Sequence, residues 1–214
     1  MPLASTRRRR LIFLGLGGGL VLAAGLARAD ADPAVIAPIQ GLCDSLISVM
    51  KAGERTPFSQ RFEMLAPAVD RAFDLPAILQ VSVGPAWNAL PSDQQTALLD
   101  AFRRYTISSY VSSFDNFTGQ RFTIQPDLRS VGNEQIVQTK IIPASGDSHQ
   151  LDYVMRQAGS DWKAVDVLSE GAISRVATQR SDFRALLARG GGPALLASLQ
   201  QKTADLSGTH STVQ

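Results

Sequence analysis

The 214-residue chain contains one cysteine, two histidines and few aromatic residues (7%). Cys43 has no partner for an internal disulfide, so the fold must depend on its hydrophobic core, and we predict a buried structural thiol. Beyond residue 29, the HExxH, CxxC, GxGxxG, P-loop and GxSxG motifs are all missing. We therefore predict no metal, no cofactor and no catalytic residue.

The first 29 residues have the three-part layout of a secretory signal peptide. The basic run Arg7–Arg10 precedes the apolar stretch Leu11–Leu26, and Ala27–Ala29 has the small-x-small pattern of a cleavage site. The apolar stretch is shorter than the roughly 20 residues that usually span a membrane. This length favours cleavage after Ala29, with retention as a membrane anchor as the alternative.

Removal of this segment reverses the sign of the net charge. Residues 1–29 hold five arginines and no acidic residue, so the remaining chain has 16 basic against 19 acidic residues. Its net charge is −3, compared with +2 for the whole chain. Because it also lacks a basic run, nucleic acid is not a predicted partner.

Apolar residues at three- and four-residue spacing predict helices at both ends of the chain. Asp74 is expected to cap one of them, and Ser92 with Gln95 to form a capping box on the longest. Ser174 is expected to cap the first helix after the strands, which a glycine run then ends. The predicted helices cover residues 32–53, 58–72, 75–83, 92–114, 174–189 and 193–204.

From Gln120 the period of the apolar residues changes to two, as in half-buried strands. In the last strand this alternation places Val165 and Val167 on one face and Asp166 on the other. The predicted strands cover residues 121–125, 134–142, 151–156 and 162–168. Their short connections predict a four-stranded antiparallel meander, and thus a single α+β domain over residues 30–204 with one sheet face covered by helices and a flexible tail over 205–214.

Two carboxylates lie in the predicted strands, and one of them, Asp166, is a candidate for chemistry. Asp166 could transfer protons together with Tyr153 or Tyr105 if a pocket raised its pKa. The simpler interpretation is a structural ion pair of Asp166 with Arg180. Asp152 is expected to be solvated or paired with a nearby basic side chain.

Several segments of the chain resemble one protein family. They are Tyr153, residues 162–167 (WKAVDV), residues 170–174 (EGAIS), Arg180–Phe183 and the glycine–leucine pattern of residues 190–202. Together they resemble the MlaC family of periplasmic lipid-binding auxiliary proteins of ABC-type transport, also called toluene-tolerance proteins. Within that family, residues 91–95, 102–106 and 119–122 look most like the hopanoid-associated HpnM branch.

The resemblance implies an NTF2-like curved sheet packed with helices around an apolar cavity for acyl chains. It also implies a periplasmic carrier that moves a phospholipid or hopanoid-like lipid between the inner and outer membranes. The implied partners are an MCE-type component of an inner-membrane ABC transporter and an outer-membrane lipoprotein complex, with the carrier itself a monomer. The alternatives are an NTF2-like enzyme or an adaptor in hopanoid or polycyclic lipid biosynthesis.

The periodicity of the longest helix and of the strands predicts which side chains face the cavity. A filled core would show the same alternation, so both interpretations stay open for these positions. The predicted lining comprises Phe102, Tyr105, Tyr110, Val137, Ile141, Tyr153, Met155, Trp162, Val165 and Val167.

Overall fold

The computed structural model describes residues 32–208, so the predicted signal peptide and most of the predicted tail lie outside the described residues. Helices precede and follow an antiparallel sheet, which confirms the α+β prediction. The elements are α1 (Pro33–Ala52), α2 (Phe58–Ala72), α3 (Leu75–Val83), a 3₁₀ helix (Gly84–Ala89), α4 (Ser92–Ser113), β1 (Arg121–Ile124), β2 (Arg129–Val131), β3 (Glu134–Ile142), β4 (His149–Ala158), β5 (Asp161–Ser169), β6 (Ile173–Ser174) and α5 (Arg175–Ser207).

Two of the three predicted helix caps are formed. Asp74 Oδ1 accepts a hydrogen bond from the Ala77 amide (3.0 Å), and Ser174 Oγ accepts one from Ala177 (2.9 Å). The capping box is wrong, because Ser92 is already helical and its side chain makes no cap. Gln95 instead donates its amide to the carbonyl oxygens of residues 87 and 90 (3.0 and 3.1 Å), which ties the 3₁₀ helix to α4.

The sheet has the strand order β1-β3-β4-β5-β6, with β2 also paired to β3, and every pairing of these strands is antiparallel. The predicted meander is therefore confirmed, and β2 and β6 extend it. Both additions are short: β2 has three residues, all exposed, and β6 has two, of which Ile173 is exposed. Such short segments carry too little alternation to be recognised from sequence.

The inner face of the sheet is buried under helices. Val137 of β3, Tyr153 of β4 and Val167 of β5 are direct cross-strand neighbours, and all three are buried. Helix α1 contacts β1, β3 and β5. By length and hydropathy α1 could cross a membrane, but here seven of its residues are buried within the domain core.

A bulge between β4 and β5 corrects the predicted faces of β5. The register shifts at Val154/Met155, so that Val154 pairs with Asp166 while Met155 pairs with Ala164. Val165 is the extra residue, and it lines an outer hollow together with Val154 and Asp166. The prediction that Val165 and Val167 share a face is therefore wrong, because a bulge interrupts strict alternation.

Helix α5 is interrupted by the glycine run, as predicted. Gly190 and Gly191 have non-helical backbone angles, and Gly191 has a φ of 63°, which glycine adopts without steric cost. Beyond the break, Leu195 and Leu199 are buried and α5 packs on α4. The helix continues to Ser207, into the predicted tail.

Candidate functional site

A cleft lies between α4, the beginning of α5, α3 and the inner face of the sheet, and we call it the α4–α5 cleft. It consists of two cavities of about 40 and 180 Å³, which share Ser109, Tyr110, Val167 and Arg175 as lining residues. The other lining residues are Phe73, Leu75, Ile78, Phe102, Tyr105, Thr106, Ser113, Phe114, Leu151, Asp166, Val176 and Gln179. The lining is thus mainly apolar, with hydroxyl and amide groups, one carboxylate and one arginine.

A continuous row of aromatic rings runs along one wall of the cleft, and three of its members line the cleft directly: Phe73, Tyr110 and Phe114. Tyr110 of α4 is at the centre, with its ring centroid 5.8 Å from Phe73 and 6.1 Å from Phe114. Phe122 extends the row beyond Phe114 (5.9 Å), and Tyr153 extends it beyond Phe73 (6.1 Å). Helical spacing places residues 110 and 114 on the same side of α4, and residues 122 and 153 face them from the sheet. The row gives the cleft a wide apolar surface.

The two tyrosine hydroxyls of this wall form a neutral pair below the cleft. Burial raises the pKa of Tyr110 to about 12 and that of Tyr153 well above its ordinary value. The hydrogen bond between the two hydroxyls raises the pKa of Tyr153 further and lowers that of Tyr110. Cys43 lies close enough to raise the pKa of both, and burial raises its own pKa to about 12. This confirms the predicted buried thiol.

Asp166 holds the first turn of α5 against β5. Its carboxylate accepts hydrogen bonds from the Ser174 hydroxyl, the Val176 amide (3.1 Å) and the adjacent Val167 amide (2.7 Å). The predicted ion pair with Arg180 is wrong, because the oxygens of Asp166 are used by these donors. The β4–β5 register also places Asp166 and Tyr153 on opposite sheet faces. Asp166 is therefore a structural group that positions α5 at the cleft.

Asp152 is buried on the outer side of the sheet and does not border the cleft. Only 1% of its surface is exposed. The Gln150 amide donates to one carboxylate oxygen (2.9 Å) and the Gln138 amide reaches the other (3.4 Å). The expectation of a solvated or ion-paired Asp152 is wrong, because glutamine side chains on its own and the adjacent strand satisfy it.

The predicted lining residues fall into three groups. Phe102, Tyr105, Tyr110 and Val167 border the α4–α5 cleft. Val137, Tyr153 and Met155 are fully buried behind it, and Ile141 is half-buried on the same inner face, opposite Phe122 of β1. Trp162 and Val165 border other hollows.

The sequence predictions missed the side of the cleft that α3 and α5 provide. Leu75 and Ile78 follow the cap of α3, whereas Arg175, Val176 and Gln179 follow the cap of α5. These helix starts were recognised, but their orientation toward the sheet depends on tertiary packing. The signal that could have found them is the cap itself, because it fixes where the first helical turn begins.

Two larger hollows lie elsewhere on the surface. One of about 400 Å³ is bordered by α2, α4 and the end of α5, and includes Phe58, Phe62 and Arg104. The other, of about 470 Å³, is bordered by Trp162, Lys163 and the N-terminal part of α1. In residues 32–208 no three His, Cys, Asp or Glu side chains come together to hold a metal ion. The α4–α5 cleft differs from these hollows by the contacting rings of Phe73, Tyr110 and Phe114 in its lining.

Comparison with known proteins relates this chain to one family. The family model described as MlaC protein matches residues 40–201. The solved structure of a phospholipid-binding protein from Ralstonia solanacearum, in complex with a phospholipid, has the same fold at a TM-score of 0.70 and 20% identity. That likeness covers 81% of this chain and 98% of the other. None of the curated proteins matches the chain. Because the family model spans most of its length, this chain belongs to the MlaC family.

Proposed function

We propose that the protein is a periplasmic carrier that binds the acyl part of a phospholipid or hopanoid-like lipid in the α4–α5 cleft. The observation that carries this proposal is the aromatic wall around Tyr110, which borders a cleft on one side and packs against the domain core on the other. Membership of the MlaC family supports it, as does the phospholipid bound to the Ralstonia protein of the same fold. We assign Phe102, Tyr105 and Val167 to the same lipid-contacting surface.

A carrier has to replace the membrane as a solvent for the lipid. Transfer of an acyl chain of about 16 carbons from a membrane to water costs about 13 kcal/mol, at about 0.8 kcal/mol per methylene group. A dry aromatic and aliphatic surface offsets most of that cost. The polar headgroup stays at the mouth of the cleft in water, which avoids its desolvation.

The cleft has to widen before it can hold an acyl chain. A water molecule occupies about 30 Å³ in the liquid, so cavities of 40 and 180 Å³ have room for only a few methylene-sized groups. Phe102, Tyr105 and Tyr110 lie on the long helix α4, whereas the α5 segment that lines the cleft is separated from the rest of that helix by the break at Gly190–Gly191. We therefore propose that the segment of α5 before this break moves away from the sheet when lipid binds.

The proposed carrier is the soluble component of an ABC-type lipid transport system. It exchanges lipid with an MCE-type component at the inner membrane and with a lipoprotein complex at the outer membrane. A single-cleft monomer is sufficient for this role. The enzyme alternative lacks support, because its main candidate, Asp166, is occupied in holding α5.

Native mass spectrometry of the gently purified protein tests the proposal. We expect masses above that of the protein alone, with lipid identified after release. Ser109→Trp places a large ring in the shared part of the cleft and is expected to lower the bound fraction several-fold. Thr96→Trp is the control, because Thr96 is exposed on the same helix and lies outside the cleft.

The test distinguishes binding from a filled core. Detection of only the lipid-free mass in the unsubstituted protein would rule out the carrier and favour the adaptor. Equal loss of lipid in both variants would show that the α4–α5 cleft is not the site. Thermal unfolding of both variants confirms that each is folded before the comparison.

A further inference from the structure

A guanidinium group stands at the mouth of the α4–α5 cleft without a carboxylate partner. Arg175 is the first residue of α5, is exposed, and borders both cavities of the cleft. Its charge lowers the pKa of both Tyr110 and Tyr153, so its electrostatic field reaches the aromatic wall. Among residues 32–208 it forms no ion pair. The cation is therefore free to bind an anion from outside.

Among the described residues, the carboxylate that lines the cleft together with Arg175 forms no ion pair with it. Asp166 is the one carboxylate among the described residues that line the cleft, and its oxygens accept from Ser174 and from backbone amides. Lys202 is the cation placed over the Tyr105 ring, 5.8 Å from its centroid.

Two arginines at other hollows are each paired with a carboxylate. Arg104 borders the hollow between α2, α4 and α5 and is paired with Asp100. Arg156 borders the hollow outside β5 and is paired with Glu134. Arg175 has no carboxylate partner among residues 32–208 and keeps its donors at the mouth of an apolar cleft.

We propose that Arg175 binds the phosphate of a diacyl phospholipid whose chains occupy the cleft, and so selects phosphate-bearing lipids over uncharged ones. This inference rests on the proposed carrier function and adds the headgroup chemistry to it. A guanidinium group can donate two parallel hydrogen bonds to a phosphate. Ser109 and Gln179, which line the cleft beside Arg175, offer further donors to the phosphate or glycerol oxygens.

The test compares two soluble lipids with identical short chains, diheptanoyl phosphatidylglycerol and diheptanoylglycerol, titrated below the concentration at which they aggregate. Arg175→Gln removes the charge and keeps a polar side chain. Arg180→Gln is the matched control on the same helix segment, since Arg180 lies beside Gly84 instead of lining the cleft. Each variant is first shown to unfold at the temperature of the unsubstituted protein.

We expect Arg175→Gln to weaken binding of the phosphatidylglycerol about fivefold, the size of an exposed ion pair, and to leave diheptanoylglycerol unchanged. Added salt should weaken phosphatidylglycerol binding to the unsubstituted protein and to Arg180→Gln, and have little effect on Arg175→Gln. Equal changes for both lipids, or none, would overturn the proposal. The proposal would also be overturned if Arg175→Gln weakened the binding of decanoate but not that of phosphatidylglycerol, because the anion bound by Arg175 would then be a carboxylate.

The outcomes also separate this inference from the carrier function. If the unsubstituted protein bound neither lipid, the carrier function itself would fail. If it bound both lipids with equal affinity and Arg175→Gln changed neither, the carrier function would stand and phosphate selection would be refuted.

Discussion

Replacement of Asp166 should loosen one side of the cleft without unfolding the domain. The carboxylate is half-buried and accepts hydrogen bonds from Ser174 Oγ and from the amides of Val167 and Val176. Asp166→Ala removes the acceptor for all of these donors. Asp166→Asn keeps one carbonyl oxygen, which can still accept from an amide.

The magnitude follows from these contacts. Hydrogen bonds to a charged group contribute about 1.5–3 kcal/mol each when buried, and water replaces part of that at a half-exposed site. We expect Asp166→Ala to lower the free energy of unfolding by about 3 kcal/mol and Asp166→Asn by about 1 kcal/mol. For a domain of this size, 3 kcal/mol corresponds to a decrease in Tm of about 10 °C.

Urea unfolding gives the free energies, and amide hydrogen exchange locates the change. Exchange should become faster at residues 175–180, where α5 begins, and stay slow at residues 195–204, beyond the break in the helix. Asp161→Ala is the control on the same strand. Asp161 is exposed and accepts only from Ser160, so its loss should cost less than about 0.5 kcal/mol.

Three results would refute this reasoning. A loss below about 1 kcal/mol for Asp166→Ala would show that the carboxylate does not hold α5. Equal effects of the alanine and asparagine variants would point to the charge instead of the hydrogen bonds. A uniform increase of exchange over the whole domain would show that α5 does not open as a separate segment.

Stability should also depend on alkaline pH. The pKa values of Cys43 and Tyr110 are raised from 9.0 and 10.0 to about 12, and that of Tyr153 is raised too, so above about pH 9 the unfolded chain loses protons that the folded protein keeps. The contribution of these groups to the free energy of unfolding should therefore stay constant up to about pH 9 and then fall, by about 1.4 kcal/mol per pH unit for each group that ionises in the unfolded chain. Urea unfolding from pH 8 to 11 measures this decrease, and Tyr110→Phe should make it less steep. A free energy of unfolding that does not change over this range would contradict the burial of these groups. Gly171→Ala should destabilise the protein by about 1–2 kcal/mol, because its φ is 70° and the new Cβ would lie 3.1 Å from a glutamine amide nitrogen. Gly41 is exposed and lies in the middle of α1, and a new Cβ there would meet no other side chain within 4 Å. Gly41→Ala should therefore stabilise the protein by about 0.5–1 kcal/mol. Thermal unfolding should show a lower Tm for Gly171→Ala and a higher Tm for Gly41→Ala.

Periodicity predicted the parts of the cleft that lie on regular elements. Phe102, Tyr105 and Tyr110 were found because a long helix fixes which side chains share a face. Tyr153 and Val137 were placed on the correct sheet face for the same reason, although they lie behind the cleft wall.

The remaining parts depend on features without a local sequence pattern. The bulge that moves Val165 outward contains no glycine or proline, so strict alternation was the natural prediction. Arg175 was missed because its position depends on how Asp166 and Ser174 orient α5. Both are consequences of tertiary packing, which propensities and periods do not encode.

The break at Gly190–Gly191 would confine any movement of α5 during lipid exchange to the segment before it. An unbroken helix over Arg175–Ser207 would be a rod of about 50 Å, at 1.5 Å per residue. Any tilt at its first turn would then be carried to its far end, where Leu195 and Leu199 pack in the core. Two non-helical residues uncouple the ends. In the proposed carrier, the segment beside the cleft would yield to an incoming chain while the rest of α5 keeps the domain folded.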